Sequence, residues 1–564
     1  MAHLPRSWRT CSVLALLFSV TLVGCDVTNV ADDIEDALKL IINVPEASVN
    51  VSGAFVDART NEVLAEDVSV RFEGPDARRI VDPIFYEAIS DATVEGGFVQ
   101  FALEEGLTPS PEQPVRINVI AEAEGYLTTG KALRLDSTGV HIFTLNMVKI
   151  SAPPEGVALV ANQPISSTDA DGRVTEAVTV STPPEANTQG VASVSLPVGT
   201  QVKDADGQPL QGPLTATIAY HNNRDAESLE SFPGGFSEIQ LENADGSTDE
   251  NVAFITGGFV SVDIRDQAGR LAETFSEPIQ ISVSIPEGSF NPETGEAVKP
   301  GDTIPVWSYN EDTGAWKEEG VGQFGKNGQG QGYKVGEPDA YGNMPVVFEA
   351  PHLSYWNLDW KMNRVCRLPR GLDLTIAGNP GRLPLTLRFI PTGQYAGGFI
   401  STRHIGGDLE PFIYNFPEDV PTFLVIAYHL GREVGRVEVS NPCGASAVLD
   451  VSFGPRVIVN VTYNVFINVD CGDRELRPSQ AFQFREVGSV AWANGFMRNG
   501  VYVGRNLVLG GTYQVFFTYF DRELGIFRNY ESFITVEGSA VDGVISVRPL
   551  FSRTDIDTVC RKIS

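Results

Sequence analysis

Beyond Ala47 the chain alternates apolar and polar residues with a period of two, in short runs broken by Gly, Asp and Asn. Almost nothing in it carries the three-and-four spacing of a helix. A period of two puts every second side chain on one face of a strand, so such a chain buries its apolar positions by packing sheet against sheet. Val49, Val51, Val68, Val70, Phe72, Phe98, Phe101, Ile117 and Val119 fall in runs of this kind at sandwich spacing. The 564 residues, at ~100–200 per domain, make three to five domains, each large enough to bury its own core. The expectation is an all-β protein, a string of about four β-sandwich domains. Ordinary charged and aromatic content argues against disorder, and the 55 Gly show no three-residue period, which excludes collagen.

The 41 Lys and Arg face 72 Asp and Glu, a formal charge of −31. Binding to phosphate backbones needs a basic surface, so nucleic acid is excluded as a partner. An acidic surface poor in Lys fits a protein exported into a salty medium.

The N-terminus carries the most specific signal. Arg6 and Arg9 make a short basic start, and Val13 to Val23 is an apolar run interrupted only by Ser19 and Thr21. That run is too short to cross a hydrocarbon core of ~30 Å but suits the core of a signal peptide, here residues 1–24. It ends in Leu22-Val23-Gly24-Cys25, which resembles the bacterial lipobox. The resemblance implies cleavage before Cys25, lipidation of its thiol, and membrane attachment through that lipid. Residues 25–45 then read as a tether. Val27, Val30, Ile34, Leu38 and Ile41 recur at three- and four-residue spacing, so a short helix is expected over Asp26 to Asn43. Asp32, Asp33, Glu35 and Asp36 cluster close behind the Cys, which resembles a signal for outward display in some envelope lipoproteins. A solvated tether explains the same acids. The expected location is the bacterial cell envelope, at the outer membrane.

Four units follow. In residues 46–150, Val51-Ser52-Gly53-Ala54-Phe55-Val56-Asp57, Asn61-Glu62-Val63-Leu64, Gly97-Phe98 and Glu124-Gly125-Tyr126 resemble the carboxypeptidase regulatory-like domain. That resemblance implies a transthyretin-like sandwich and no chemistry. Ser151 to Gly156 reads as a linker. In residues 151–362, Val194 to Thr200, Asp206-Gly207-Gln208-Pro209-Leu210, Phe232-Pro233-Gly234-Gly235, Pro278 to Val283, Trp307-Ser308-Tyr309-Asn310 and Thr313-Gly314-Ala315-Trp316 resemble the extracellular region of cartilage intermediate layer proteins. They also resemble the sandwich shared by ankyrins, netrin receptors and the death-domain protein PIDD. This implies a scaffold or interaction module. The remainder divides at about Pro455 into units 363–455 and 456–564, each with an early and a late Cys. Gly510-Gly511 reads as a turn before a buried strand, Thr512 to Phe517.

Catalytic layouts are few. The sequence holds no HExxH, GxSxG, CxxC or Walker pattern, and no two of its six His lie close enough to suggest a zinc pair. No cofactor is expected, and the chain reads as a non-enzyme. Asp169-Ala170-Asp171-Gly172 and Asp204-Ala205-Asp206-Gly207 place carboxylates at alternate positions before a Gly, as calcium loops do. Neither has the closing Glu of a twelve-residue loop, and Asp-Gly is also the strongest hairpin signal. Gly325 to Gly332 is glycine-rich without a following helix and reads as a hairpin loop. Trp307, Trp316, Trp356 and Trp360 suit either core filling or stacking on sugar rings.

One triplet carries a reaction. His352-Leu353-Ser354 resembles the self-cleavage site of PIDD-type sandwiches and of adhesion-receptor autoproteolysis domains. The resemblance implies that His352 acts as base while Ser354 Oγ attacks the Leu353 carbonyl, giving an ester that water opens. An uncut strand with His352 bonded to neighbouring backbone fits the same letters.

Cys366, Cys443, Cys471 and Cys560 make an even number in an exported chain, which favours disulfides. Three pairings are open. Cys366–Cys443 with Cys471–Cys560 closes each of the last two units, whereas Cys443–Cys471 would join them across Pro455. The functional expectation is an envelope-anchored structural or adhesive protein binding a protein or glycan partner, with a carbohydrate-binding part of a nutrient-uptake system as the alternative.

Overall fold

The computed structural model describes residues 40–564 apart from 45, 185–189, 311–312, 320–331, 368, 380–381, 407, 455–457, 470–473, 537–541 and 548–564. The expected signal peptide, Cys25 and residues 26–39 of the expected tether lie outside the described residues, as do Cys471, Cys560 and most of the glycine-rich loop. The chain is all-β, with β-sandwich units following one another along the sequence. No described helix is long and apolar enough to cross a membrane.

In the first unit, strand Val49–Asp57 lies between Phe98–Leu103, antiparallel, and Gly139–Met147, parallel. A second sheet runs Ala92–Val94, Val68–Glu73, Val115–Ala123, Thr129–Leu135. The alternation governs burial: Val68, Val70 and Phe72 face inward while Ser69, Arg71 and Glu73 face out. All nine apolar positions singled out in the sequence are buried.

In the second unit, the long strand Thr248–Asp266 pairs with Gly212–His221 and Ser237–Glu242 along one side and with Tyr355–Met362 along the other. Through Ala315–Glu318 and Val306–Asn310 this ladder closes on itself. The facing sheet centres on Thr274–Ile285, flanked by Ala192–Leu196 and Met344–His352. Trp307, Trp316, Trp356 and Trp360 are wholly buried between the layers. They fill the core, and none offers a face to a sugar.

The third unit sets Leu372–Ala377, parallel to Ser446–Asp450, against a sheet ordered Ser401–Ile405, Leu385–Pro391, Thr422–His429, Arg432–Ser440. Its core is continuous with that of the second unit. At the seam the Thr256 amide donates to the Gly398 carbonyl at 2.8 Å, and the Gly398 amide to the Asn223 carbonyl at 2.6 Å. Gly398 has φ +72°, and a Cβ there would stand 2.9 Å from the Thr256 carbonyl oxygen, so both conformation and space call for glycine.

The last unit returns to the first. Strand Ile526–Thr535 pairs parallel with the first unit at Ile526–Thr93 and Phe527–Val94, which makes one eight-stranded sheet of the two. Phe520 and Phe527 lie in the first unit's own core. The turn expected at Gly510 precedes strand Thr512–Asp521, whose Tyr513, Val515 and Phe517 are buried.

The tether differs from expectation at its end. Leu40–Asn43 is a strand, parallel to Arg474–Arg477 in the last unit, not the last turn of a helix. Two adjacent β-branched residues, Ile41 and Ile42, disfavour a short helix, and a ready sheet edge satisfies the backbone instead.

Candidate functional site

Strand Met344–His352 turns at Leu353 and Ser354 into strand Tyr355–Met362. The triplet His352-Leu353-Ser354 spans the end of the first strand and this turn. His352 stacks on Trp356 with ring centroids 5.0 Å apart. Its Nε2 lies 3.3 Å from Glu319 Oε1, and its Nδ1 lies 3.3 Å from the Leu353 carbonyl oxygen. Ser308 Oγ donates to the same Glu319 oxygen at 2.8 Å. Burial pushes the Glu319 carboxyl up, but bonds from His352 and Ser308 and the Lys317 charge outweigh it and hold the carboxyl below its usual range. Ser354 Oγ donates to the Tyr309 carbonyl. Neither Leu353 nor Ser354 has a positive φ. The imidazole is therefore placed on the peptide bond that cleavage would break, while the nucleophile's proton is committed to another strand.

Cys366 and Cys443 are joined by a disulfide, Cα atoms 5.2 Å apart. The Asp-Gly turns use their carboxylates locally. Asp169 Oδ1 accepts the amides of Asp171 and Arg173, each at 2.9 Å. Asp204 Oδ1 accepts the Gln208 amide at 2.7 Å, and its Oδ2 pairs with Arg270 at 3.1 Å. Asp171 and Asp206 are exposed beside them. Among the described residues, no three His, Cys, Asp or Glu side chains converge on one point as metal ligands would.

The described histidines serve separate structural tasks. His221, stacked on Phe259 at 4.1 Å, is pushed down to about 3 by burial. His404 is pushed down to about 4 by burial and then by the Lys131 and Arg403 charges; Thr386 Oγ1 lies 3.0 Å from its Nδ1.

A large recess lies where the four units meet, a cleft of about 970 Å³. The second unit's short helix Ala226–Glu230 brings Glu230 to its wall. Arg388, from the third unit, donates to Glu230 Oε2 at 2.8 Å, and Thr402 to Oε1 at 3.2 Å. The first unit joins through Asn146, whose amide donates to the Glu230 carbonyl at 3.1 Å. Burial pushes the Glu230 carboxyl up against the opposing pull of Arg388 and Thr402. Beside it, Arg134 donates to Asp136 at 2.7 Å and Tyr414 from the third unit donates to the same carboxylate. Tyr428 lies under the Arg388 guanidinium at 5.2 Å. On the last unit's side stand Gln483, Trp492 and Asn494; Ser52 of the first unit donates to Asn494 at 2.9 Å. Sequence reasoning missed these residues, because they come from separate strands, loops and a short helix and no spacing links them.

No family model matches the chain. A stretch of 124 residues, 22% of the chain, is 32% identical to human cartilage intermediate layer protein 2, of whose length the chain spans 9%. Among solved structures, the minor pilin of Streptococcus agalactiae is 10% identical at a TM-score of 0.14, covering 32% of this chain and 97% of its own. The major pilin subunit of Bacillus cereus is 9% identical at a TM-score of 0.12, covering 88% of this chain and 99% of its own. Scores this low carry no argument about what the chain does.

Proposed function

We propose that this protein is a non-catalytic scaffold, anchored in the bacterial envelope by lipid on Cys25, that holds a protein or glycan partner. The observation that carries the reading is the closure of four sandwich units around one cleft. The first and last share a sheet, and the second and third share a core. Walls fixed in this way lose little freedom when a partner binds. The basic start, apolar run and Leu22-Val23-Gly24-Cys25 support export and lipidation. Three acyl chains at ~0.8 kcal/mol per buried CH₂ would make attachment near-permanent. The full chain should partition into a detergent phase, and Cys25→Ser should release it or leave it unprocessed. A processed Cys25→Ser protein that stays equally membrane-bound overturns the anchor. Pull-down from envelope extract tests for a protein partner.

A second reading, self-cleavage between Leu353 and Ser354, is favoured by His352 Nδ1 standing 3.3 Å from the Leu353 carbonyl oxygen. It requires the Ser354 hydroxyl to leave Tyr309 and turn to that carbonyl. Freshly folded protein would then run as two pieces, 25–353 and 354–564, on a denaturing gel, and Ser354→Ala would run as one. A single wild-type band removes this reading.

A further inference from the structure

We infer that residues 40–46 form a strap that fastens the last unit over the first, and that a pull on the N-terminal tether releases this strap before any unit unfolds. The strap precedes the first unit in the chain yet is held by the last. Leu40–Asn43 runs parallel to Arg474–Arg477, and the Val44 amide donates to the Arg477 carbonyl at 3.0 Å. Arg498, also of the last unit, grips Glu46 through Nε to Oε2 at 2.8 Å and Nη2 to Oε1 at 3.2 Å. From Ala47 onward the chain belongs to the first unit: Ala47 is buried against Val81 and Ala102, and its carbonyl accepts the Asn50 side-chain amide at 3.0 Å. Seven residues therefore pass from one unit to the other. The load that the strap carries at a membrane rests on the lipid-anchor reading above; the fastening itself does not.

The face that the strap closes is only partly apolar. Phe98 of the first unit meets Trp492 and Phe516 at 4.8 and 5.3 Å. Beside them Ser52 and Gln100 of the first unit bond to Gln483 and Asn494 of the last. Gln100 Oε1 is buried there without a hydrogen-bond partner among the described residues. Domains that meet through so polar a face move against each other unless something else holds them. The strap is a second hold, in a different sheet from the one that the two units share. It is also the first element to meet a pull from the tether. Leu40–Asn43 is the outer strand of its sheet, paired over four residues on one side. The next strand, Val49–Asp57, is paired on both sides, over five residues with Phe98–Leu103 and nine with Gly139–Met147. A short terminal edge strand opens at far lower free energy than a central one, so the strap gives way while the first unit stays whole.

The test is hydrogen exchange on the full chain with a matched pair of prolines. Amides alternate along a strand, so the Ile42 amide faces Arg474–Arg477 as the Val44 amide does, and the Ile41 amide faces away. Ile42→Pro removes a ladder donor and Ile41→Pro does not. Glu46→Lys leaves the strand intact and sets like charge against Arg498. Exchange in Gln480–Glu486 and Ala493–Met497 should quicken about tenfold or more in Ile42→Pro, the worth of one to two hydrogen bonds. Glu46→Lys should give about threefold, because exposed ion pairs contribute less. Ile41→Pro should match wild type, and Thr422–His429 in the third unit should change in none of them. In magnetic tweezers, with the chain pulled by its N-terminus against a handle in the third unit, the first event should be a reversible step. Its length should not exceed about 3 nm, nine residues at ~3.4 Å each, and Ile42→Pro should lower its force or abolish it. Wild-type exchange in both Ile42→Pro and Glu46→Lys, equal quickening in the two prolines, or a first event that unfolds a whole unit overturns the inference. Neither measurement needs the lipid, so a chain that fails the Cys25→Ser fractionation loses the membrane load and keeps the strap.

Discussion

Phe527 decides whether the last unit is part of the first or merely beside it. Its ring is wholly buried, 4.9 Å from Phe520, within a cluster that otherwise belongs to the first unit. Its backbone pairs with Val94 across 433 residues of sequence. Phe527→Ala removes most of a side chain that takes on the order of 200 Å² out of water, and at ~25 cal/mol per Å² the transfer loss alone approaches 4–5 kcal/mol. Cavity-forming Phe→Ala changes cost about 3–5 kcal/mol. The surrounding residues come from both units, so the loss should fall on both. Hydrogen exchange followed by mass spectrometry reads this directly, on peptides covering Val49–Asp57 and Phe98–Leu103 in the first unit and Thr512–Asp521 in the last. Protection in both sets should drop by about a hundredfold or more, at ~1.4 kcal/mol per decade. If only the last unit's peptides lose protection, the two units are separate folds and the shared core is not an energetic coupling.

The disulfide should matter chiefly through the unfolded chain. With Cys366 and Cys443 separated by 77 positions, chain entropy gives about 4 kcal/mol, so Cys366→Ala/Cys443→Ala should lower third-unit stability in urea by up to that amount; an unchanged midpoint would refute this. His221 should make the second unit sensitive to acid. Its folded pKa of about 3 lies below the unfolded 6.5, so the unfolded chain takes up a proton first and stability falls as pH drops through that window. The loss is about 2 kcal/mol between pH 6.5 and 5. His221→Phe, which keeps the stack on Phe259, should lose less than wild type over the same range, and equal losses would count against a buried neutral imidazole.

What was legible in the sequence was local. Alternation at Val68, Val70 and Phe72 fixes which face is buried whatever the strand pairs with, so the sandwich class and the first unit's core could be read from neighbours two residues apart. Helical spacing at Leu38 and Ile41 was equally local, and there it misled, because a four-residue stretch follows the sheet edge offered by Arg474–Arg477 more than its own weak preference. The tryptophans were legible as large apolar residues but not as core or platform, since that depends on which layer lies opposite. The Asp-Gly turns likewise show their turn in the letters, but not that Arg270, 66 residues further on, reaches Asp204.

The cleft lay beyond reach for a stricter reason. Glu230, Arg388, Asp136 and Trp492 lie on four units, and each is an ordinary polar or aromatic residue in its own helix, strand or loop. What joins them is the return of the last unit to the first, and the only strand ladder across that seam among the described residues is the two-residue parallel pairing at Thr93–Ile526 and Val94–Phe527. So short a ladder contributes little by itself. The burial of Phe520 and Phe527 in the first unit's core supplies the apolar surface that makes the closure stable. The same closure brings the last unit's Trp492 opposite Glu230 and Arg388. Closure and site are therefore one structural event, and a change that opens the seam at Phe527 should open the cleft wall with it.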